Sequence, residues 1–108
     1  MKPAALRPQA DADLIERTRY DLEAGGAELA ESFFDASIDA LRAIEATPGL
    51  GSPWIGALLG LDGLRRIGIA GFPCGWIYLE RQEVLDVIRL VADRQDLASA
   101  LDEDAPDP

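Results

Sequence analysis

Residues 63–80 read GLRRIGIAGFPCGWIYLE, and this stretch decides the fold class. From Leu64 the period is two: Arg65, Ile67 and Ile69 fall on one face of an extended segment, and Leu64, Arg66, Gly68 and Ala70 on the other. Gly71, Phe72 and Pro73 break the pattern as a turn, and CGWIYLE resumes it as a second strand. RQE makes the next turn and VLDVIRLVA a further strand. The last two strands are apolar on both faces, as expected near the centre of a sheet. Two adjacent arginines at the mouth of so apolar a strand pair ask for a reason.

Upstream the period changes to that of helices. Pro8 presets a first helical turn, Asp11 and Asp13 suit the positive helix start, and Leu14, Ile15, Thr18 and Leu22 share a face. Gly25 and Gly26 should stop this helix. In the next segment Ala30, Phe33, Phe34, Ser37, Ile38, Leu41 and Ile44 repeat at the spacing of a buried stripe, with Glu28, Glu31, Asp35 and Asp39 on the opposite, solvated face. A break of two glycines is too short for anything but an antiparallel helical hairpin. Residues 48–61, rich in Gly and Pro, read as a loop with one helical turn. At the start, KPAALRP reads as a short edge strand with Ala4 and Leu6 on one face. The order is β-α-α-β-β-β, an α+β fold with the helical hairpin packed on a small antiparallel sheet. Residues 1–101 form one domain, and residues 102–108 an acidic, disordered tail.

Asp+Glu number 20 against Lys+Arg 10, with no histidine, giving a formal charge of -10. That field opposes phosphate backbones and anionic lipid, so neither nucleic acid nor membrane is an expected partner. The absence of histidine excludes Ser-His and Cys-His catalysis and histidine metal sites. Cys74, the single cysteine, makes no internal disulfide and no zinc site, and no Gly-rich phosphate loop occurs. No cofactor is expected. Without a signal peptide or a long apolar run, the chain reads as cytoplasmic and soluble.

The helix opening ADADL, the P-x-x-G after the long helix, GLRR entering a strand and the closing strand ending in ADRQDL occur in one order across residues 6–101. In that order and spacing the chain resembles the ParE branch of the ParE/RelE toxins of bacterial toxin–antitoxin pairs. The resemblance implies the helical hairpin on a sheet that periodicity suggests independently. It also implies a non-enzymatic toxin that inhibits DNA gyrase by binding and is neutralised by a ParD-like antitoxin. RelE-like relatives instead cleave messenger RNA on the ribosome, and fold alone does not choose between the branches. A third reading is an attenuated toxin that only binds antitoxin. Family members often carry a basic residue in the loop where Trp54 stands, and no glycine where Gly68 stands.

For the ribonuclease reading, Arg65, Arg66 and Arg94 are the candidate phosphate clamps and Tyr78 the proton carrier. For the binding reading, Arg65 braces the sheet end through Asp62, Asp93 or Asp96, and Arg66 with Arg94 forms a basic patch for target or antitoxin. Trp54, Trp76 and Tyr78 are of the type that dominates protein–protein hot spots, although core filling suits Trp76 equally well. Ile15 and Leu22 flank a groove in which an antitoxin helix would bury apolar surface.

Overall fold

A computed structural model describes residues 1–93; the expected domain end at residue 101 and the tail fall outside them. The elements are β1 (Ala4–Leu6), α1 (Pro8–Ala46), a 3-10 turn (Pro48–Leu50), α2 (Trp54–Leu59), β2 (Leu64–Gly68), β3 (Cys74–Glu80) and β4 (Leu85–Ala92). The α+β architecture and the element order are those expected.

α1 is two helical limbs joined at Gly26, whose backbone (φ 80, ψ -175) lies where a side chain is strained and a glycine is not. The Arg17 guanidinium carbon stands 5.4 Å from the centre of the Phe33 ring, so the limbs lie side by side. A straight helix would hold these residues about 24 Å apart. Ala30, Phe33, Ser37, Leu41 and Ile44 are buried as the stripe required, and Ile38 is half-buried. Phe34, expected inside, is 44% exposed, because it lies a further 100° round the helix from Phe33 and beyond the reach of the sheet.

The sheet order is β1-β4-β3-β2. β2, β3 and β4 form the antiparallel meander, while β1 lies at the edge and runs parallel to β4, so the sheet is mixed. Leu85 N–H donates to the Pro3 carbonyl and Arg7 N–H to the Val87 carbonyl, both at 2.9 Å, fixing that register. Pro3, just outside the strand, uses only its carbonyl, so its missing N–H costs nothing. Between Ile77 and Tyr78 the register shifts, Ile77 facing Arg89 and Tyr78 facing Val87, which makes Ile88 the extra residue of a bulge.

Both sheet faces are covered, which is why β3 and β4 are apolar throughout. Trp76, Tyr78, Leu85 and Val87 pack with Phe33, Leu41 and Ile44 under the hairpin. Ile77, Ile88 and Val91 pack with Leu64 and with Ile55 of α2 on the other face. Trp76 Nε1 donates to the Ser37 carbonyl at 3.0 Å, so the ring satisfies its polar atom while filling the core.

Arg7 holds the start of α1 to β4 through Asp86, its Nε and Nη2 donating at 3.0 and 2.9 Å; Arg81 Nε adds a third bond at 3.0 Å. The Arg7 hydrogen bonds hold the Asp86 carboxyl below the usual carboxylate range against the opposing effect of burial, with Arg81 helping. A native value below the unfolded one, about 3.9, means that this contribution is present above about pH 4 and is lost as pH falls through the native value. Asp86→Asn is therefore expected to flatten the acid limb of stability against pH. Urea midpoints measured from neutral pH downward test this, and parallel acid limbs for the two proteins would refute it.

Candidate functional site

The paired arginines do two different jobs, and the partner of Arg65 is not the one expected. Among the described residues, which do not include Asp96, Arg65 meets no carboxylate: its Nη1 donates to the Gly51 carbonyl at 2.7 Å and the Gly49 carbonyl at 3.3 Å. These oxygens belong to the turn that follows α1, where carbonyls left without helical partners attract a cation. Arg66 pairs with Asp93, and its backbone exchanges hydrogen bonds with Ser52 at 2.8 and 3.0 Å. The expected patch of Arg66 with Arg94 is not placed, since Arg94 falls outside the described residues.

Tyr78 completes the clamp on the same turn. Its buried hydroxyl donates to the Pro48 carbonyl at 2.7 Å and accepts from Gly51 N–H at 2.9 Å. Burial pushes its phenol above the ordinary value, with the Gly51 hydrogen bond and Arg65 opposing. A hydroxyl so enclosed and so committed is not available as a proton carrier. Trp76 is fully buried too, so these two of the expected contact residues belong to the core and not to a surface.

What the clamp fixes is the segment that carries Trp54. That residue opens α2 and is 65% exposed, with Leu58 one turn on and Leu61 just beyond the helix also exposed. Trp54, Ile55, Ser52, Arg66 and Asp93 line a cleft of about 300 Å³. The apolar patch lies on the sheet face away from the hairpin, because Ile55 packs on Ile77 while the neighbouring Trp76 and Tyr78 point to the hairpin.

On the hairpin, Ile15 and Leu22 are 52% and 50% exposed, and they share a face because they stand two turns apart. Leu14 and Asp21, one position earlier in each case, turn inward and are buried. Phe34 projects from the second limb. Asp21 Oδ1 accepts from Arg17 Nε at 3.4 Å and its Oδ2 has no hydrogen bond, a buried acceptor that costs roughly 1–3 kcal/mol.

A second cleft, of about 470 Å³, separates the first limb from β4 and is lined by Arg17, Tyr20, Cys74, Asp13 and Arg89 among others. Burial pushes the Cys74 thiol up, partly offset by Arg17, which disfavours its thiolate form. Asp13 and Arg89 were not singled out from sequence as a pair. Arg89 donates from Nε at 2.8 Å and Nη2 at 3.2 Å to the Asp13 carboxylate, which also accepts from Leu90 N–H at 3.1 Å. The signal for it is present in VLDVIRLVA: an arginine in the middle of an apolar strand requires a buried anion.

Among the described residues no group of three Cys, Asp or Glu side chains is placed to hold a metal ion, and no helix is long and apolar enough to cross a membrane. No family model matches the chain, and neither does any curated protein. Its fold is similar to that of a solved structure described as a chromosomal ParDE TA system from P. aeruginosa, with a TM-score of 0.71 and 17% sequence identity. The likeness covers 85% of this chain and 96% of that one. The ParE/RelE-type fold expected from the sequence is thereby borne out.

Proposed function

We propose that this chain is the toxin of a toxin–antitoxin pair, a binding protein that inhibits DNA gyrase and is silenced by a ParD-like antitoxin docked on the helical hairpin. The observation that carries this reading is the near-complete overlap with a chain of a ParDE system, together with exposed Ile15, Leu22 and Phe34 on the hairpin. Apolar side chains held half out of a well-packed domain suit a surface that a partner covers. The second exposed patch, around Trp54 and Leu58, lies across the sheet and suits contact with the target.

A binder is favoured over a ribonuclease because the candidate catalytic groups among the described residues are occupied. Tyr78 and Arg65 hold the turn after α1, and Arg66 is paired with Asp93. No described histidine or lysine stands near them to move protons in their place; Lys2, the one lysine, binds Glu80.

The test is gyrase-catalysed supercoiling of relaxed plasmid in the presence of the purified chain, alone and with a ParD-like antitoxin protein. Loss of supercoiling with trapped broken DNA, reversed by that protein, is expected. Undiminished supercoiling at large excess of the chain would reject gyrase as the target. Trp54→Ala is expected to weaken the inhibition about tenfold or more while leaving the thermal midpoint unchanged, as an exposed hot-spot residue should.

A further inference from the structure

The two limbs of α1 are held to the rest of the domain unequally. The second limb buries Ala30, Phe33, Ser37, Ala40, Leu41 and Ile44. The first limb is fixed at its start by Ala10, by Leu14 and by the Asp13–Arg89 ion pair, but past Leu14 its one buried side chain is Asp21. Residues 18–25 thus contribute no buried apolar side chain, and eight residues of helix do not hold together by themselves in water. Both ends of this stretch yield easily. The Thr18 hydroxyl donates to the Leu14 carbonyl at 2.7 Å, a contact that loosens and bends helices, and Gly26 breaks the helix with a positive φ.

Arg17 closes the stretch onto the second limb. Its guanidinium lies against the Phe33 ring of that limb and the Tyr20 ring of its own, at 5.4 and 5.7 Å, and donates to Asp21 at 3.4 Å. Asp21 is 3% exposed and its second oxygen has no donor among the described residues, so closure carries the standing cost of a buried acceptor. We propose that Arg17 and Asp21 form a latch, and that residues 18–25 swing away from the core as a unit while the rest of the domain stays folded. Opening moves Arg17 and Tyr20 off the cleft between the first limb and β4, and uncovers Cys74, which lines that cleft and is 2% exposed when it is closed. Such a unit belongs to the low-stability end of a domain, from which moving parts are drawn. The latch stands whether or not the chain is a toxin.

Cys74, the single cysteine, reports the opening. Its thiolate displaces one aromatic thiolate from an aromatic disulfide reagent, and the absorbance of the released thiolate gives the labelling rate of the full chain from zero urea upward. Wild type is expected to label with a urea slope less than about a third of that for global unfolding, since the slope follows the surface exposed. Asp21→Leu removes the donorless oxygen and leaves Arg17, whose side chain is already 24% exposed, to reach water; labelling should slow about tenfold or more. Arg17→Leu leaves Asp21 buried without its donor and should speed labelling about tenfold or more. Ile44→Val, which loosens the core under the second limb, should lower the urea midpoint and leave labelling at low urea unchanged. Hydrogen exchange of the amides of residues 18–25 reads the same opening without the thiol, whose ionisation Arg17 and Asp21 also affect.

A wild-type slope equal to that of global unfolding overturns the proposal, because the thiol would then be reached only through the unfolded chain. So does labelling that neither urea nor either latch substitution changes, which would mean that the reagent enters the closed cleft. Amide exchange over residues 18–25 that is no slower in Asp21→Leu than in wild type overturns it as well. Should Arg17→Leu fail to fold, Asp21→Leu decides alone.

Discussion

Asp13→Ala is expected to lower stability by about 3–5 kcal/mol, because it breaks a buried ion pair. The Arg89 and Asp13 side chains are 8% and 11% exposed and meet through two hydrogen bonds. β1 pairs with β4 only as far as Val87, so beyond that point this edge of β4 has no neighbouring strand among the described residues. Asp13 takes the place of one, accepting Leu90 N–H with the oxygen that also takes Arg89 Nε. A single carboxylate thus ties the first limb of the hairpin to the sheet. For a domain of this length the loss corresponds to a fall in thermal midpoint of more than about 12 °C. Asp13→Asn, which keeps an acceptor for Leu90 but removes the charge, should fall between wild type and alanine. Replacing both members by Leu and Met should cost less than the sum of the single changes. Thermal and urea unfolding measure all four proteins; an alanine variant within about 1 kcal/mol of wild type would refute the role given to the pair.

Gly51→Ala is expected to cost about 2–4 kcal/mol, although the glycine's backbone is one that alanine adopts readily (φ -67). The added Cβ would stand 2.5 Å from Tyr78 Oη and 2.7 Å from its Cε1, in a ring that is fully buried and cannot swing away. Overpacking and the loss of both hydroxyl hydrogen bonds act together. Tyr78→Phe leaves Gly51 N–H and the Pro48 carbonyl without their partner and should cost about 1–3 kcal/mol. Joining the two changes should cost less than their sum, since both lose the same hydrogen bonds and removing the hydroxyl relieves the nearest of the methyl's contacts. Urea unfolding of the three variants decides this. Additive costs would mean that the tyrosine is not the group the methyl meets. Because this turn leads into the segment bearing Trp54, the same variants should also weaken target inhibition through the position of that ring.

The residues that carry the proposed function differ in how far they could be read beforehand. Trp54 could, because an aromatic in a Gly- and Pro-rich connection has little to pack against. Ile15 and Leu22 were legible as apolar and flanking a groove, but Phe34 was assigned to the core because adjacent phenylalanines fit one stripe equally well. Tyr78 and Trp76 carry the composition of a binding surface and lie in the interior, each with its polar atom satisfied by a backbone group far along the chain. Arg65 was legible as needing a partner and illegible as to which, since carbonyl oxygens leave no mark in a sequence.

By itself the sequence determined the α+β class, the order of elements, the hairpin break at the glycines and the two-sided burial of β3 and β4. These follow from period, turn residues and local sterics, which act over a few residues. Only the tertiary structure decided that β1 joins parallel to β4, that Asp13 plugs the open edge of that strand, and that Arg65 and Tyr78 clamp the turn before Trp54. Asp13 and Arg89 are 76 positions apart, and Tyr78 and Pro48 are 30. Which groups meet over such separations is set by how the hairpin seats on the sheet, and a periodic pattern fixes the face each residue takes without fixing the partner it finds there.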